Sequence, residues 1–262
     1  MIKLVASDLD GTLLLHKAQS LPEEIFSLIR QLEELGIMFV AASGRQYPNM
    51  TKLFAPVASE ISYISENGAL AVDHGEVLYQ DSFDRKLAGE IISAILEKKD
   101  AEFTCSAKDY HYLMPKTKRF HDHMLYEVKN ECRFVNTAPI MKLAVFEPAG
   151  LTEESVKYWM DRFGKECVVV TSGNEWIDFI PFGTNKAKGI REYQKRYHIS
   201  PEECIAFGDE YNDIEMLKAV KYGFAMEHSK EGVRAATSYM TKQVEPVLEK
   251  LIRAKGKIEE VI

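Results

Sequence analysis

The chain has 262 residues and little cysteine: Cys105, Cys132, Cys167 and Cys204 lie far apart and form no C-x-x-C pair. That spacing speaks against a zinc site, a redox motif or a disulfide scaffold, and the expectation is reduced cysteines in a cytoplasmic protein. Long apolar runs are also missing. No stretch reaches the roughly 20 residues that a membrane-spanning helix needs, so no membrane partner is expected. The opening run over residues 2–6 is too short for a signal peptide and leads straight into Asp8. An excess of positive charge is absent too. The net charge is -7, and no basic cluster offsets it, which argues against a nucleic-acid partner. The cations between Lys242 and Lys257 interleave with Glu245 and Glu249, as on the solvated face of a C-terminal helix. Internal repeats and low-complexity linkers are lacking. What remains is the composition of a soluble globular protein, long enough for one large domain or two small ones.

The most informative segment that is present is Asp8-Leu9-Asp10-Gly11-Thr12-Leu13, directly after that apolar run. On a strand, residues i and i+2 point to the same side, so Asp8 and Asp10 can converge just beyond its carboxyl end. Open parallel α/β sheets place their ligands there. Gly11 permits a sharp turn. Adjacent carboxylates repel unless a cation or a proton lies between them, which points to a hard metal such as Mg²⁺ beside phosphate. Taken alone, Asp8-Leu9-Asp10-Gly11 also reads as an acidic turn.

The rest of the chain sets this motif in a rhythm. Leu21, Ile25, Leu28, Ile29, Leu32 and Leu35 recur at helical spacing, with Ser20 as a cap, Pro22 in the first turn and Gly36 as the stop. The apolar run 37–42 is a strand ending at Ser43-Gly44-Arg45. Strand, helix and strand make a βαβ unit, hence a parallel pair whose polar ends share one edge. A helix over 47–58, a strand over 63–65, a turn at Asn67-Gly68 and a small hairpin of 69–72 with 77–79 follow. From Asp84 the pattern changes to a helix over 87–98, a hairpin of 102–106 with 110–114, a helix near 118–127, a strand over 141–146, a helix over 153–163 and strands over 167–171 and 176–180. Hairpins mixed with helices indicate an antiparallel α+β unit. After Gly183 the α/β rhythm returns: helix 186–197, strand 204–207 ending at Gly208-Asp209, helix 212–218, strand 222–225, helix 230–236, strand 239–241 and a last helix. The expected fold class is α/β. A Rossmann-like parallel-sheet core, with helices on both faces, spans residues 1–83 and 184–262, and an α+β domain over 84–183 is inserted into it.

Four polar clusters end core strands or open core helices: Asp8 with Asp10, Ser43, Lys186, and Asp209 with Asn212 and Asp213. Carboxylates, a hydroxyl, an ammonium and an amide on one sheet edge suit a phosphoryl group held with Mg²⁺. Each member also has a plain reading: a loop end for Ser43, a surface lysine for Lys186, a turn at Asp209, a helix cap for Asn212 and a dipole-favoured helix start for Asp213. Their shared position in the rhythm outweighs those separate readings.

These motifs resemble the haloacid dehalogenase superfamily phosphatases of the Cof type, the subclass IIB enzymes with a large α/β cap. Asp8-Leu9-Asp10-Gly11-Thr12 matches the first family motif, Ser43-Gly44-Arg45 the second, Lys186 in Gly183-Thr184-Asn185-Lys186 the third, and Gly208-Asp209-Glu210-Tyr211-Asn212-Asp213 the fourth. The first two motifs are too close for a cap between them, so the cap falls in the long interval from Ser43 to Lys186. The resemblance implies a Mg²⁺-dependent hydrolysis of small phosphorylated metabolites, such as sugar phosphates or phosphorylated cofactors. It implies Asp8 as nucleophile and Asp10 as general acid and base. Asp8, the backbone carbonyl of Asp10 and Asp209 would bind the metal, with Asp213 behind them. Ser43, Lys186, Asn212 and the amides of Leu9 and Gly44 would hold phosphate. A phosphomutase on a sugar phosphate, or a non-catalytic phosphometabolite-binding protein, are the alternatives.

Two departures stand out. Glu227-His228-Ser229 replaces the Gly-Asn-Ala frequent in such relatives, and the tail after Thr241 lacks their acidic Gly-Val turn. Outside the four motifs, Arg45 is expected to meet a substrate oxygen or a nearby acid, with Asp178 as a candidate for that acid. Trp176, Tyr110, His111 and Tyr112 lie on expected strands of the inserted domain, and Trp176 is a candidate substrate contact. His121-Asp122-His123 has the composition of a metal site, but residues i and i+2 face apart on a helix.

Overall fold

The computed structural model describes residues 1–15, 18, 20–98, 101–108, 111–113, 128–129, 139–171 and 174–262. Cys132, Tyr110, His121-Asp122-His123 and the helix expected near 118–127 lie outside the described residues. The chain divides into two compact units, Met1–Tyr79 with Asn185–Ile262, and Gln80–Thr184.

In chain order the elements are β1 (Leu4–Ser7), α1 (Glu23–Glu34), β2 (Met38–Ala42), α2 (Tyr47–Leu53), β3 (Ser62–Ser65), β4 (Leu70–Asp73) and β5 (Glu76–Gln80). Then come α3 (Arg85–Glu97), β6 (Glu102–Ser106), β7 (His111–Leu113), β8 (Val128–Lys129), β9 (Lys142–Phe146), α4 (Glu153–Phe163), β10 (Val168–Thr171) and β11 (Trp176–Ile180). The chain finishes with α5 (Lys186–Tyr197), β12 (Cys204–Gly208), α6 (Ile214–Lys218), β13 (Tyr222–Met226), α7 (Glu231–Arg234), β14 (Tyr239–Thr241) and α8 (Glu245–Arg253).

The first unit is an eight-stranded sheet in the order β14-β13-β12-β1-β2-β3-β4-β5. The six strands from β14 to β3 run parallel, and β4 turns back antiparallel on β3. All four residues of β1 and all five of β12 are buried, as befits strands covered on both faces. From β1 the chain steps to β2 on one side, and later from β12 to β13 on the other. The strand order therefore reverses at β1 and β12, which opens a crevice at their carboxyl ends.

Several elements depart from expectation for local reasons. The helix expected over 47–58 stops at Leu53, and a 3-10 turn over Ala55–Val57 replaces its last turn. Pro56 has no N–H to give and its ring crowds the preceding turn. Ser20 does not cap α1; Pro22 occupies the cap position with no side-chain hydrogen bond, while Glu23 and Glu24 face the helix dipole.

The second unit is a sheet in the order β10-β11-β9-β6-β7-β8, antiparallel except between β7 and β8. Phe103 and Cys105, Leu143 and Val145, and Ile177 and Phe179 alternate onto one face, where α3 and α4 supply Ile91, Ile95, Trp159 and Phe163. Each such side chain, fully buried, contributes about 1.5–3 kcal/mol. Cys105, Cys167 and Cys204 are buried thiols that form no disulfide. Among the described residues no helix is long and apolar enough to cross a membrane.

Beside this core, Glu147 Oε1 accepts hydrogen bonds from Trp159 Nε1 at 2.9 Å, Ser155 Oγ at 2.5 Å and Lys98 Nζ. Burial raises the Glu147 carboxyl, but these donors outweigh it and hold it below the usual glutamate range. A carboxyl depressed by folding stabilises above its unfolded pKa and loses that contribution as pH falls through the folded value. Glu147→Gln is therefore expected to cost about 1–3 kcal/mol near pH 7. The gap from the parent should begin to narrow only below about pH 4.5 and close toward about pH 3, as pH falls through the lowered folded value. Urea unfolding at about pH 7 and about pH 3, followed by tryptophan fluorescence, checks this.

Candidate active site

The crevice at the strand ends is where the polar residues gather. Ser7 pairs with Ala41 of β2 and with Phe207 of β12, so the residues that leave the three strands do so at one level. Asp8 follows β1, Ser43 follows β2 and Asp209 follows β12. Lys186 is the first residue of α5, whose start is fixed by Asn185: its Oδ1 accepts from the Lys188 N–H at 3.0 Å.

Lys186 is almost wholly buried, at 1% exposure. Its Nζ donates to Asp8 Oδ1 at 2.5 Å and to Asp213 Oδ1 at 2.6 Å. The other oxygen of Asp213 accepts from the N–H groups of Asp209 and Glu210, both at 3.0 Å. This back-bond explains why the expected helix over 212–218 begins instead as a 3-10 turn, Tyr211–Asp213, ahead of α6. Asp209 Oδ1 accepts from Thr12 Oγ1 at 2.9 Å. Carboxylate oxygens of Asp8, Asp209 and Asp213 come within 4.8 Å of one another.

One ammonium thus pairs with two of the three clustered buried carboxylates. Burial pushes the Asp8 carboxyl up to about 8; Asp213 and Asp209 push the same way and Lys186 opposes. Burial likewise raises Asp209, against the Thr12 hydrogen bond. The Lys186 ammonium is stabilised beyond its usual range, because Asp213 and Asp8 outweigh the cost of burying it. Such a cluster carries excess negative charge and offers only oxygen donors beside Lys186. That donor set fits a hard divalent cation. Gly11, at φ +91°, lies so close to Asp209 that a Cβ would strike the carboxylate.

Asp10 stands apart from the three carboxylates. Arg45 holds it in a bidentate pair, Nε to Oδ2 at 2.8 Å and Nη2 to Oδ1 at 2.6 Å, with the Asp10 side chain 57% exposed. The acid expected to meet Arg45 is therefore Asp10, not Asp178. Asp178 lies on β11, 3.6 Å from Lys142 Nζ within its own unit. On the same strand, Trp176 packs its ring against Phe146, 4.8 Å between centroids.

Ser43 is buried and its Oγ accepts the Arg45 N–H at 3.1 Å. The Leu9 carbonyl accepts from Thr12 and Leu14, closing the turn after β1. Asn212 Nδ2 donates to Asn67 Oδ1 at 3.0 Å, and Asn67 lies against Gly44. Thr12 and Asn67 are the members that sequence reasoning passed over. Asn67 reads there as a turn residue, yet it follows β3 at the edge where Ser43 follows β2, and that shared position is the signal. His228 Nε2 is 3.8 Å from Asp209 Oδ2, so the departure at Glu227-His228-Ser229 borders the cluster.

The family model for haloacid dehalogenase-like hydrolases matches residues 5–246. The chain belongs to this family. It is 32% identical over 246 residues to the 5-amino-6-(5-phospho-D-ribitylamino)uracil phosphatase YbjI of Escherichia coli K12, covering 91% of this chain and 90% of that protein. A solved structure from Eubacterium rectale superposes with a TM-score of 0.86 at 27% identity, over 95% of this chain and 98% of its own. A sugar phosphatase of HAD subclass IIB superposes with a TM-score of 0.73 at 26% identity, over 91% of this chain and 93% of its own. The expected superfamily, the α/β fold with a second antiparallel sheet, and the expectation of a phosphatase-type enzyme are borne out at that level.

Lys186→Met keeps the side-chain stem and removes the charge. Breaking a buried ion pair from one side leaves carboxylates without their counter-charge, and the expected loss is about 3–5 kcal/mol near pH 7. Protonation relieves those carboxylates, so the loss should shrink on acidification. Denaturant unfolding of parent and variant at about pH 9 and pH 6, on either side of the Asp8 carboxyl at about 8, reads both effects.

Proposed function

We propose that this protein is a Mg²⁺-dependent phosphomonoesterase acting on small phosphorylated metabolites, through an aspartyl-phosphate on Asp8. One observation carries the reading: Asp8, Asp209 and Asp213 converge with the Lys186 ammonium at the carboxyl ends of the two central strands. Two carboxylates alone could be an acidic turn. Three clustered buried ones, two of them paired with one lysine, suit an anion and a cation together.

The chain's own groups divide the work. Lys186 holds Asp8 Oδ1 and so fixes the carboxylate's orientation before substrate arrives. Asp8 attacks phosphorus in line; its P–O bond forms as the bond to the leaving oxygen breaks. Asp10 gives that leaving oxygen a proton, then takes one from the water that attacks the aspartyl-phosphate. The second displacement breaks the P–O bond to Asp8 and frees inorganic phosphate. Ser43, Asn212, Lys186 and the amides of Leu9 and Gly44 bind the phosphate oxygens. Asp8, the Asp10 carbonyl and Asp209 would hold Mg²⁺, and Asp213 keeps Lys186 and the Asp209 turn in place. The bound ion supplies charge neutralisation for the phosphate oxygens.

Arg45 holds Asp10 in a bidentate pair, so substrate binding must loosen that pair before Asp10 can carry a proton. The unit over 80–184 is read as the domain that selects the ester, with Trp176, Asp178 and Arg45 as candidate substrate contacts. The names of the relatives, a phosphoribitylamino-uracil phosphatase and a sugar phosphatase, support a sugar phosphate or a phosphorylated cofactor precursor as the substrate class. Buried thiols that form no disulfide suit a reducing, cytoplasmic setting.

Two outcomes test the reading. Asp8→Asn keeps the shape and removes the attacking charge, so phosphate release should fall by at least a thousandfold while the circular dichroism spectrum is unchanged; activity within tenfold of the parent would sink the covalent route. Excess chelator should abolish turnover, Mg²⁺ should restore it, and Ca²⁺ should inhibit because its looser coordination spoils in-line geometry. Full phosphate release in chelator would show that no metal is needed.

A further inference from the structure

Glu66, Asn67 and Gly68 connect β3 to β4 with three successive positive φ angles, +51°, +56° and +101°. Only glycine enters that region without a steric cost. A glutamate and an asparagine held there in succession are retained because their surroundings over-determine them, and such segments gather at functional sites. Here the surroundings belong to the crevice. The Asn67 N–H donates to the Ser43 carbonyl at 3.1 Å and the Glu66 N–H to the Arg45 carbonyl at 3.0 Å. The Tyr79 hydroxyl donates to the Gly68 carbonyl at 2.5 Å.

The left-handed turn lays the Asn67 carboxamide over Gly44. A Cβ built on Gly44 would stand 2.9 Å from Asn67 Oδ1 and 3.2 Å from its Nδ2, so this approach requires a glycine. The same Oδ1 accepts from Asn212 Nδ2 at 3.0 Å. One side chain therefore bridges the loop after β2 and the turn after β12, and those are two of the segments assigned to phosphate. A plain connecting turn needs no carboxamide at this place; glycine would serve it with less strain.

We infer that Asn67 is a positioning residue that locks the Asn212 carboxamide before phosphate arrives. This rests on the phosphatase reading. Accepting at Oδ1 occupies one of the two N–H donors of Asn212 and sets the plane of the other. A donor oriented in advance pays no reorganisation when phosphate charge arrives. Asn67 acts through Asn212, so its loss should matter only while Asn212 is present.

Asn67→Gly separates this role from a structural one, because glycine keeps the left-handed turn and removes the carboxamide. The variant should melt at or above the parent Tm. Its kcat/KM for p-nitrophenyl phosphate should fall at least tenfold, and calorimetric titration should show inorganic phosphate binding weaker by a similar factor. Asn212→Ala should show a comparable loss, and the double variant should be no worse than Asn212→Ala alone. A Tm several degrees below the parent would make Asn67 a structural strut and overturn the inference. So would kcat/KM and phosphate affinity both within twofold of the parent, or losses that multiply in the double variant. The phosphatase reading has a control of its own: a parent protein that releases no phosphate from p-nitrophenyl phosphate in the presence of Mg²⁺ refutes that reading, while the phosphate titration still decides the role of Asn67.

Discussion

The first unit is organised around one buried ammonium. Lys186 has almost no access to water, and the desolvation of such a charge is affordable only because Asp8 and Asp213 both receive its protons. Asp8 is 178 residues away along the chain, so this contact exists only once the two stretches of the core have joined into one sheet. The requirement reaches outward. Asn185 must cap α5 for Lys186 to sit at its first position. Gly189 must be small because Ile64 of β3 fills the space where its Cβ would stand. Asp213 must turn back on the N–H groups of Asp209 and Glu210, which in turn fixes the Asp209 carboxylate beside Thr12.

The two aspartates of the first motif are held under opposite conditions. Asp8 is buried and pinned by Lys186, so its carboxylate has one orientation. Asp10 is largely exposed and paired with Arg45, which follows β2. A nucleophile benefits from being fixed in advance. A proton carrier must move between a leaving group and a water. The strand geometry that sends both side chains to one side thus supplies two carboxylates, and their unequal burial separates the roles proposed for them.

Much of this was legible from the chain alone. The 3.6-residue spacing over 186–197 and the short apolar runs at β1, β2 and β12 place the elements, because parallel strands buried on both faces leave few polar positions to confuse the reading. With the elements in order, Asp8, Ser43, Lys186 and Asp209 fall at strand ends or helix starts, and a parallel sheet brings such ends to one edge by its connectivity. Boundaries failed where a single residue overrode the pattern: Pro56 cut α2 short, and the back-bond of Asp213 turned the start of α6 into a 3-10 turn.

The sequence by itself determined the two kinds of unit, the sheet edge that carries the site and the set of residues delivered to it, since all three follow from periodicity and chain order. The tertiary structure decided which of those residues touch. That Arg45 takes Asp10 rather than Asp178, that Thr12 holds Asp209, and that Asn67 leaves its turn to reach Asn212 depend on side-chain distances between segments remote in sequence. Spacing along a chain carries no information about such distances until the sheet has closed and burial has made each unpaired charge or amide costly.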